Sequence, residues 1–243
     1  MRPVALLVVP LSGVCLSACD GGGRMPLDTG TKAAVPALGE QVQVIPGDGI
    51  DVPVMEANNN LDVIEHDGAF FLAWRTAPSH FASAETELHI VRSTDQQTWT
   101  HEATLTMGTD LREPRFLSFD GELLMYFAAL GDSATDFEPG QTWHVARDAT
   151  GAWGEPVLSF DDGFIPWRIY GAAGGDGAGG DGAGGDGGAW DGATVMVGYV
   201  GGDDIYDFGD TGEYVPQVQV KLLTTRDGRT WSAYVPGTEV VHT

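Results

Sequence analysis

Apolar residues along this chain come in short runs broken by turn residues, and no stretch repeats them at the 3.6-residue spacing of an amphipathic helix. Three of the runs open alike. His66-Asp67-Gly68-Ala69-Phe70-Phe71-Leu72-Ala73-Trp74 matches Phe119-Asp120-Gly121-Glu122-Leu123-Leu124-Met125-Tyr126-Phe127, and both match Trp190-Asp191-Gly192-Ala193-Thr194-Val195-Met196-Val197-Gly198. Each reads as the end of one strand, an Asp-Gly hairpin turn and an apolar strand. A second motif follows each. Asp95 lies 28 residues after Asp67, and Asp148 lies 28 after Asp120. They sit in Ser93-Thr94-Asp95-Gln96-Gln97-Thr98-Trp99 and Arg147-Asp148-Ala149-Thr150-Gly151-Ala152-Trp153, and the third copy is Thr225-Arg226-Asp227-Gly228-Arg229-Thr230-Trp231.

The spacing from Asp67 to Asp120 is 53 residues and from Asp120 to Asp191 is 71, the excess matching a glycine-rich insert at 171–189. A period near fifty with four short strands per unit predicts an all-β fold, a β-propeller of four-stranded antiparallel blades with about three blades present. The predicted strands are 61–66, 69–76, 87–93 and 98–105, then 115–119, 122–130, 142–147 and 153–159, then 164–170, 193–200, 216–225 and 230–235. A β-sandwich would need two coupled motifs to recur three times by coincidence. The propeller body spans 54–243. Residues 237–243 read as the first strand of a fourth blade, and 41–45 as a leader strand for pairing with the last blade. Three blades are too few for a closed ring, so the propeller is incomplete: truncated, closed by another subunit, or open. Truncation fits best, because open blade edges invite aggregation.

The N-terminus reads as an address. Arg2 precedes an apolar run of signal-peptide length that ends in Leu16-Ser17-Ala18-Cys19. This resembles the lipobox of bacterial lipoproteins, which implies cleavage after residue 18 and lipidation of Cys19. Cys15 follows Val14 rather than a small residue and fits less well; an ordinary signal peptide carrying an incidental Cys is the alternative. Residues 1–19 are then a signal peptide and 20–53 a tether and leader strand. The implied location is the bacterial cell envelope, outside the cytoplasm, with membrane contact through a lipid anchor only.

Charge narrows the partners. Asp and Glu number 35 against 12 Lys and Arg, a net charge of −23, so no nucleic-acid partner is expected. Both cysteines precede residue 20, which leaves no Cys-based metal site in the body. The insert repeats Gly174-Gly175-Asp176-Gly177-Ala178 with period five, without the period of nine and hydrophobic position of calcium-binding repeats. It reads as a disordered loop. Asp203, Asp204, Asp207 and Asp210 form a second acidic loop, read as solvated. No cofactor is expected, with calcium the one alternative left open at these acidic segments.

The segments at 93–99 and 225–231 resemble the Asp boxes of sialidases and related glycosidase propellers, with a degenerate copy at 147–153. In such a turn the Asp accepts backbone N–H groups and the Trp packs between strands, so these are structural residues. Residues 74–83 and 110–116 also resemble segments of these propellers. The resemblance implies glycoside hydrolase chemistry on extracellular glycans and transfers no catalytic set residue by residue.

In a propeller the first strand of each blade lines the axis, and its start faces the central mouth. Those positions hold Asn60 and Asp62, then Arg112, Glu113 and Arg115, then Trp167 and Arg168. Asp62 and Glu113 are the candidate carboxylate pair of glycoside hydrolysis. Arg75, Arg112, Arg115 and Arg168 are candidate clamps for a sugar carboxylate, and Trp167 and Tyr170 offer flat faces for a sugar ring. His80 lines the same mouth or merely packs. The competing reading is that Arg112–Glu113 and Arg168 form structural ion pairs between blades. The chain is thus expected to be a sialidase-like glycosidase or a non-catalytic propeller that binds a glycan or another surface ligand.

Overall fold

The computed structural model describes residues 43–45, 50, 52–136, 138–171, 194–201, 218–234 and 240–241. The chain divides into two units, Met1–Gly47 and Asp48–Thr243. Of the first, only 43–45 are described, and they form no strand. The lipobox with Cys19, the start of the leader strand, the insert from 172, the Asp191-Gly192 turn and the acidic loop at 203–210 lie outside the described residues.

The second unit is all-β. Three antiparallel sheets follow one another along the chain, each built from four consecutive strands, as blades are, and among the described residues there is no helix. The first sheet holds β1 (Ala57–His66), β2 (Ala69–Ala77), β3 (Glu87–Ser93) and β4 (Thr100–Leu105). The second holds β5 (Leu111–Phe119), β6 (Glu122–Ala129), β7 (Gln141–Arg147) and β8 (Val157–Phe160). The third holds β9 (Phe164–Tyr170), β10 (Thr194–Val200), β11 (Gln219–Thr225) and β12 (Trp231–Ala233), with β13 (Val240–Val241) beside β11. The first strands β1, β5 and β9 lie against one another in that order.

The main differences from expectation lie at β1, β5, β8 and the last strand. β1 and β5 begin at residues 57 and 111 rather than 61 and 115, because bulges carry the pairing through their polar starts. β8 begins at 157 rather than 153. Trp153 instead makes an isolated bridge to Arg147, and its indole N–H donates to Glu102 (3.0 Å). The segment expected to open a fourth blade does not: Val240 and Val241 pair with Val220 and Gln219. They lie on the side of β11 that β12 also occupies, so they extend the outer edge of the third sheet.

The core follows from period-two alternation on a strand buried on both faces. On β6, Leu123, Met125, Phe127 and Ala129 pack toward the first sheet, with Ile64, Phe71, Ala73, Leu88 and Ile90. Leu124 and Tyr126 pack toward the third sheet, with Phe164, Met196 and Leu223. Polar ties cross the same gaps. Glu102 receives both Arg147 nitrogens at 2.8 Å, Arg229 bonds Glu122 at 2.6 Å, and Trp231 donates to the buried Tyr126 hydroxyl at 3.0 Å. The hairpin turns take the conformation that Asp-Gly favours, with φ of 49° and 69° at Asp67 and Gly68, and 49° and 77° at Asp120 and Gly121.

The outer turns are built around one carboxylate each. Asp95 Oδ1 accepts the N–H groups of Gln97 (2.9 Å) and Thr98 (2.7 Å). Asp227 Oδ1 accepts those of Arg229 (2.8 Å) and Thr230 (2.6 Å), and Asp148 those of Thr150 (2.8 Å) and Ala152 (2.9 Å). The third turn is made despite its divergent sequence, because the Asp alone supplies the acceptor. Trp99 is 6% exposed, while Trp231 is half-buried against Tyr126.

Two outcomes test this packing. Trp99→Ala removes a buried indole, so chemical denaturation should show a loss of about 3–5 kcal/mol. The N–H groups of Thr98 and Gln97 hold the Asp95 carboxyl down at about 2. A depressed carboxylate stabilises the fold above its unfolded value of 3.8, and that contribution is lost as pH falls toward 2. Asp95→Asn should therefore flatten the fall in melting temperature between pH 4 and pH 2 relative to the parent, read by circular dichroism melts.

Candidate functional site

Strand register brings three charged residues to one level. Asp62 on β1 pairs with Ala73, Arg115 on β5 with Tyr126, and Arg168 on β9 with Val197. Ala73, Tyr126 and Val197 each lie six residues past the Asp of an Asp-Gly pair in the sequence, so the three charged residues occupy one rung of the three axial strands. Just before that rung every axial strand is irregular: β1 between Asn59 and Leu61, β5 between Arg112 and Arg115, and β9 at Trp167, which is skipped between the pairs of Pro166 and Arg168. Bulges re-aim side chains, and here they turn the strand starts toward their neighbours. Asn60 and Glu113 sit in them with φ of 46° and 51°, a strained conformation for residues other than glycine.

Hydrogen bonds link the rung across the sheets. The Asn60 amide donates to Glu113 Oε1, and Arg115 donates to Glu113 Oε2. Asp62 Oδ2 accepts the Phe116 N–H at 2.7 Å. Burial pushes the Asp62 carboxyl above its ordinary value of 3.8, against the pull of that N–H and of the positive charges on Arg115 and Arg168. Arg168 is exposed, with its guanidinium 5.6 Å from the centre of the Tyr170 ring. Trp167 and Tyr170 are each 50% exposed, and Trp167 meets Tyr199 edge-on at 4.8 Å. Asp62, Glu113, Arg115, Arg168, Trp167 and Tyr170 thus belong to one region.

Arg75, Arg112 and Arg115, expected to clamp a ligand, each donate to several protein groups. Arg75 is 0% exposed. It donates to Asp110 Oδ1 from Nε (2.9 Å) and from a terminal nitrogen (2.6 Å), to the Ser79 carbonyl (3.2 Å) and to the Phe81 carbonyl (2.9 Å). Arg112 is 6% exposed and donates to Asp110 Oδ2 and to the His80 carbonyl. Arg115 ties strand to strand, donating to the Trp167 carbonyl on β9, the Leu61 carbonyl on β1 (3.5 Å) and the Pro114 carbonyl (2.7 Å). Arg112 thus pairs with Asp110 rather than with Glu113, whose carboxylate Arg115 takes instead. Arg168 is the candidate whose side chain reaches the surface.

His80 is exposed and stands at the same end of the axial strands, with its Nδ1 3.1 Å from the Asn59 amide nitrogen. Sequence reasoning passed over Asp110, which is 0% exposed and also accepts the Thr86 hydroxyl at 2.6 Å. Its signal was present: an acid two residues before Arg112, at the polar start of an apolar strand, in a chain with few cations to pair. Among the described residues no group of three or more His, Cys, Asp or Glu is placed to hold a metal ion.

No protein-family model and no curated protein matches the sequence. Solved structures do resemble it in backbone shape. A sialidase of Trypanosoma rangeli in complex with sialic acid is 14% identical over 74% of this chain and 30% of its own, with a TM-score of 0.45. A family 117 glycoside hydrolase of the marine bacterium Zobellia galactanivorans is 10% identical over 74% of this chain and 56% of its own, with a TM-score of 0.46. An α-L-arabinofuranosidase of Fusarium graminearum, in complex with an iminosugar inhibitor, is 13% identical over 74% of this chain and 51% of its own, with a TM-score of 0.47. All three are glycoside hydrolases, and this chain spans between 30% and 56% of their lengths.

The buried cluster makes a direct prediction. Asp110→Ala leaves two enclosed guanidinium groups without their carboxylate, so stability should drop by about 3–5 kcal/mol. For a unit of this size the melting temperature should fall by roughly 10 °C. Scanning calorimetry checks both figures.

Proposed function

We propose that this protein binds an acidic extracellular glycan at the Asp62–Arg115–Arg168 rung and hydrolyses it as a glycoside hydrolase. One observation carries the reading: a carboxyl whose burial favours its protonated form stands on the same rung as an exposed arginine, beside a second carboxylate. Asp62 is the proton donor to the glycosidic oxygen, since burial favours the form that carries the proton. Glu113 faces the positive charge that develops on the sugar ring as the bond breaks. Arg168 takes the sugar carboxylate, and Trp167 and Tyr170 stack on the ring. The lipobox-like segment ending at Cys19 carries the protein to the cell envelope in this reading, anchored by lipid, and the turns around Asp95 and Asp227 act as Asp boxes holding the blades.

A second reading has its own support. Both Glu113 oxygens are held by protein groups, one by Asn60 and one by Arg115, which suits a fixed ligand-binding carboxylate better than a reacting one. In that reading the propeller binds the glycan without cleaving it.

Asp62→Asn separates the two. The wild-type chain should bind acidic glycans on an array and hydrolyse fluorogenic sialosides or uronides; the variant should keep binding and lose turnover at least hundredfold. Binding without turnover in the wild-type chain would establish the second reading. The variant should also be no less stable at pH 7. A raised carboxyl stabilises the fold most below pH 3.8, and that contribution is lost as pH rises through its folded value, so at pH 7 the ionised form is a burden that Asn lacks. Arg168→Ala should weaken binding roughly tenfold or more, as the loss of one charged hydrogen bond.

A further inference from the structure

The loop that follows β2 is held far more firmly than an exposed loop needs. Three successive carbonyls, those of Ser79, His80 and Phe81, each receive a hydrogen bond from Arg75 or Arg112. Both arginines are fixed in turn by the enclosed Asp110. The Ser79 hydroxyl accepts the Phe81 N–H at 3.3 Å, and the Thr86 hydroxyl at the far end of the loop bonds Asp110. What this framework presents is apolar and aromatic: Phe81 is 59% exposed. An aromatic ring set outward on an immobilised backbone loses little conformational entropy when a ligand covers it.

His80 is oriented as well. Asn59 Oδ1 accepts from Arg75 at 3.4 Å, which places the Asn59 side-chain N–H toward His80 Nδ1. A neutral imidazole that accepts at Nδ1 carries its proton on Nε2. Loop and strand therefore offer one stacking face and one outward hydrogen-bond donor. Asn59 stands opposite Arg75 and Asp62 opposite Ala73, so across the bulge the two lie two strand positions apart, roughly 7 Å. That step along the strand sets His80 and its loop to one side of a sugar ring seated at the rung, where a linked ring would lie.

From this we infer that Phe81 and His80 form a second sugar subsite, with Phe81 stacking on the ring next to the one held at Asp62 and Arg168 and His80 donating a hydrogen bond to it. The ligand is then an oligosaccharide, and Arg75, Arg112 and Asp110 are positioning residues that act on it through the loop. The inference rests on the glycan reading of the rung and adds a length requirement to it.

The test is an array of acidic and neutral glycans graded from monosaccharide to tetrasaccharide, followed by calorimetric titration of the best-bound series. The wild-type chain should prefer oligosaccharides to the matching monosaccharide by about tenfold, the yield of one aromatic stacking contact with its buried area. Phe81→Ala should abolish that preference without weakening monosaccharide binding, and Phe81→Trp should retain it. Phe81 is exposed, so unchanged melting temperatures will accompany both variants. Arg168→Ala should weaken all lengths alike. A length preference that survives Phe81→Ala overturns the subsite while leaving the rung intact. Loss of the preference together with indifference to Arg168→Ala would keep the loop as a glycan contact and move the primary ring elsewhere, which also overturns the subsite as placed. An array on which the wild-type chain binds nothing overturns both readings.

Discussion

One buried carboxylate holds the first two sheets and the loop at 79–81 in a single arrangement. Asp110 lies at the start of β5 with no exposed surface, and it binds Arg75 from the first sheet, Arg112 from the second and the Thr86 hydroxyl. Taking such charges out of water is costly, and the geometry offsets that cost by filling both carboxylate oxygens with donors. The guanidinium groups have further N–H donors, and those are satisfied by the carbonyls of the loop at 79–81. The need to satisfy every buried donor thus fixes a surface loop, and through Asn59 it reaches the axial strand that carries Asp62.

The second constraint is the interruption of every axial strand at the same level. A regular strand would alternate side chains between two sheet faces and send its charges into the gaps between blades. The bulges at Asn60, Glu113 and Trp167 break that alternation, and they free carbonyls such as that of Trp167, which Arg115 takes up. Polar groups that would be misplaced in the core are thereby gathered at one end of the axis. The positive φ at Asn60 and Glu113 is the strain that this arrangement retains, and Glu113 is one of the two carboxylates proposed for the chemistry.

The fold was largely legible in the sequence because its repeat is written in residues that act locally. Asp-Gly at 67–68 and 120–121 dictates its own turn, and Asp95 and Asp227 close theirs through backbone N–H groups three residues away or less. What the sequence hid depends on partners far apart in the chain. Arg75 meets Asp110 across 35 residues, and Arg115 meets Trp167 across 52. No local pattern separates an arginine enclosed against protein carbonyls from one at the surface, so Arg75 and Arg112 looked like Arg168 until the register was known. The edge strand Val240–Val241 was misplaced for a similar reason: its apolar pair would suit a new blade as well as the margin of an existing one.

Convergence of three axial strands on one rung is the claim on which the site depends, and the titration of Asp62 reports it directly. Carbon-13 NMR of the Asp62 carboxyl, in the wild-type chain and in Arg168→Ala, measures both the burial of that group and the nearness of a charge that comes from a strand more than a hundred residues away. Convergence predicts a titration midpoint above the ordinary aspartate value, moving higher still when Arg168 is removed. A midpoint at or below about 3.9 that does not move in Arg168→Ala would show that the rung does not come together.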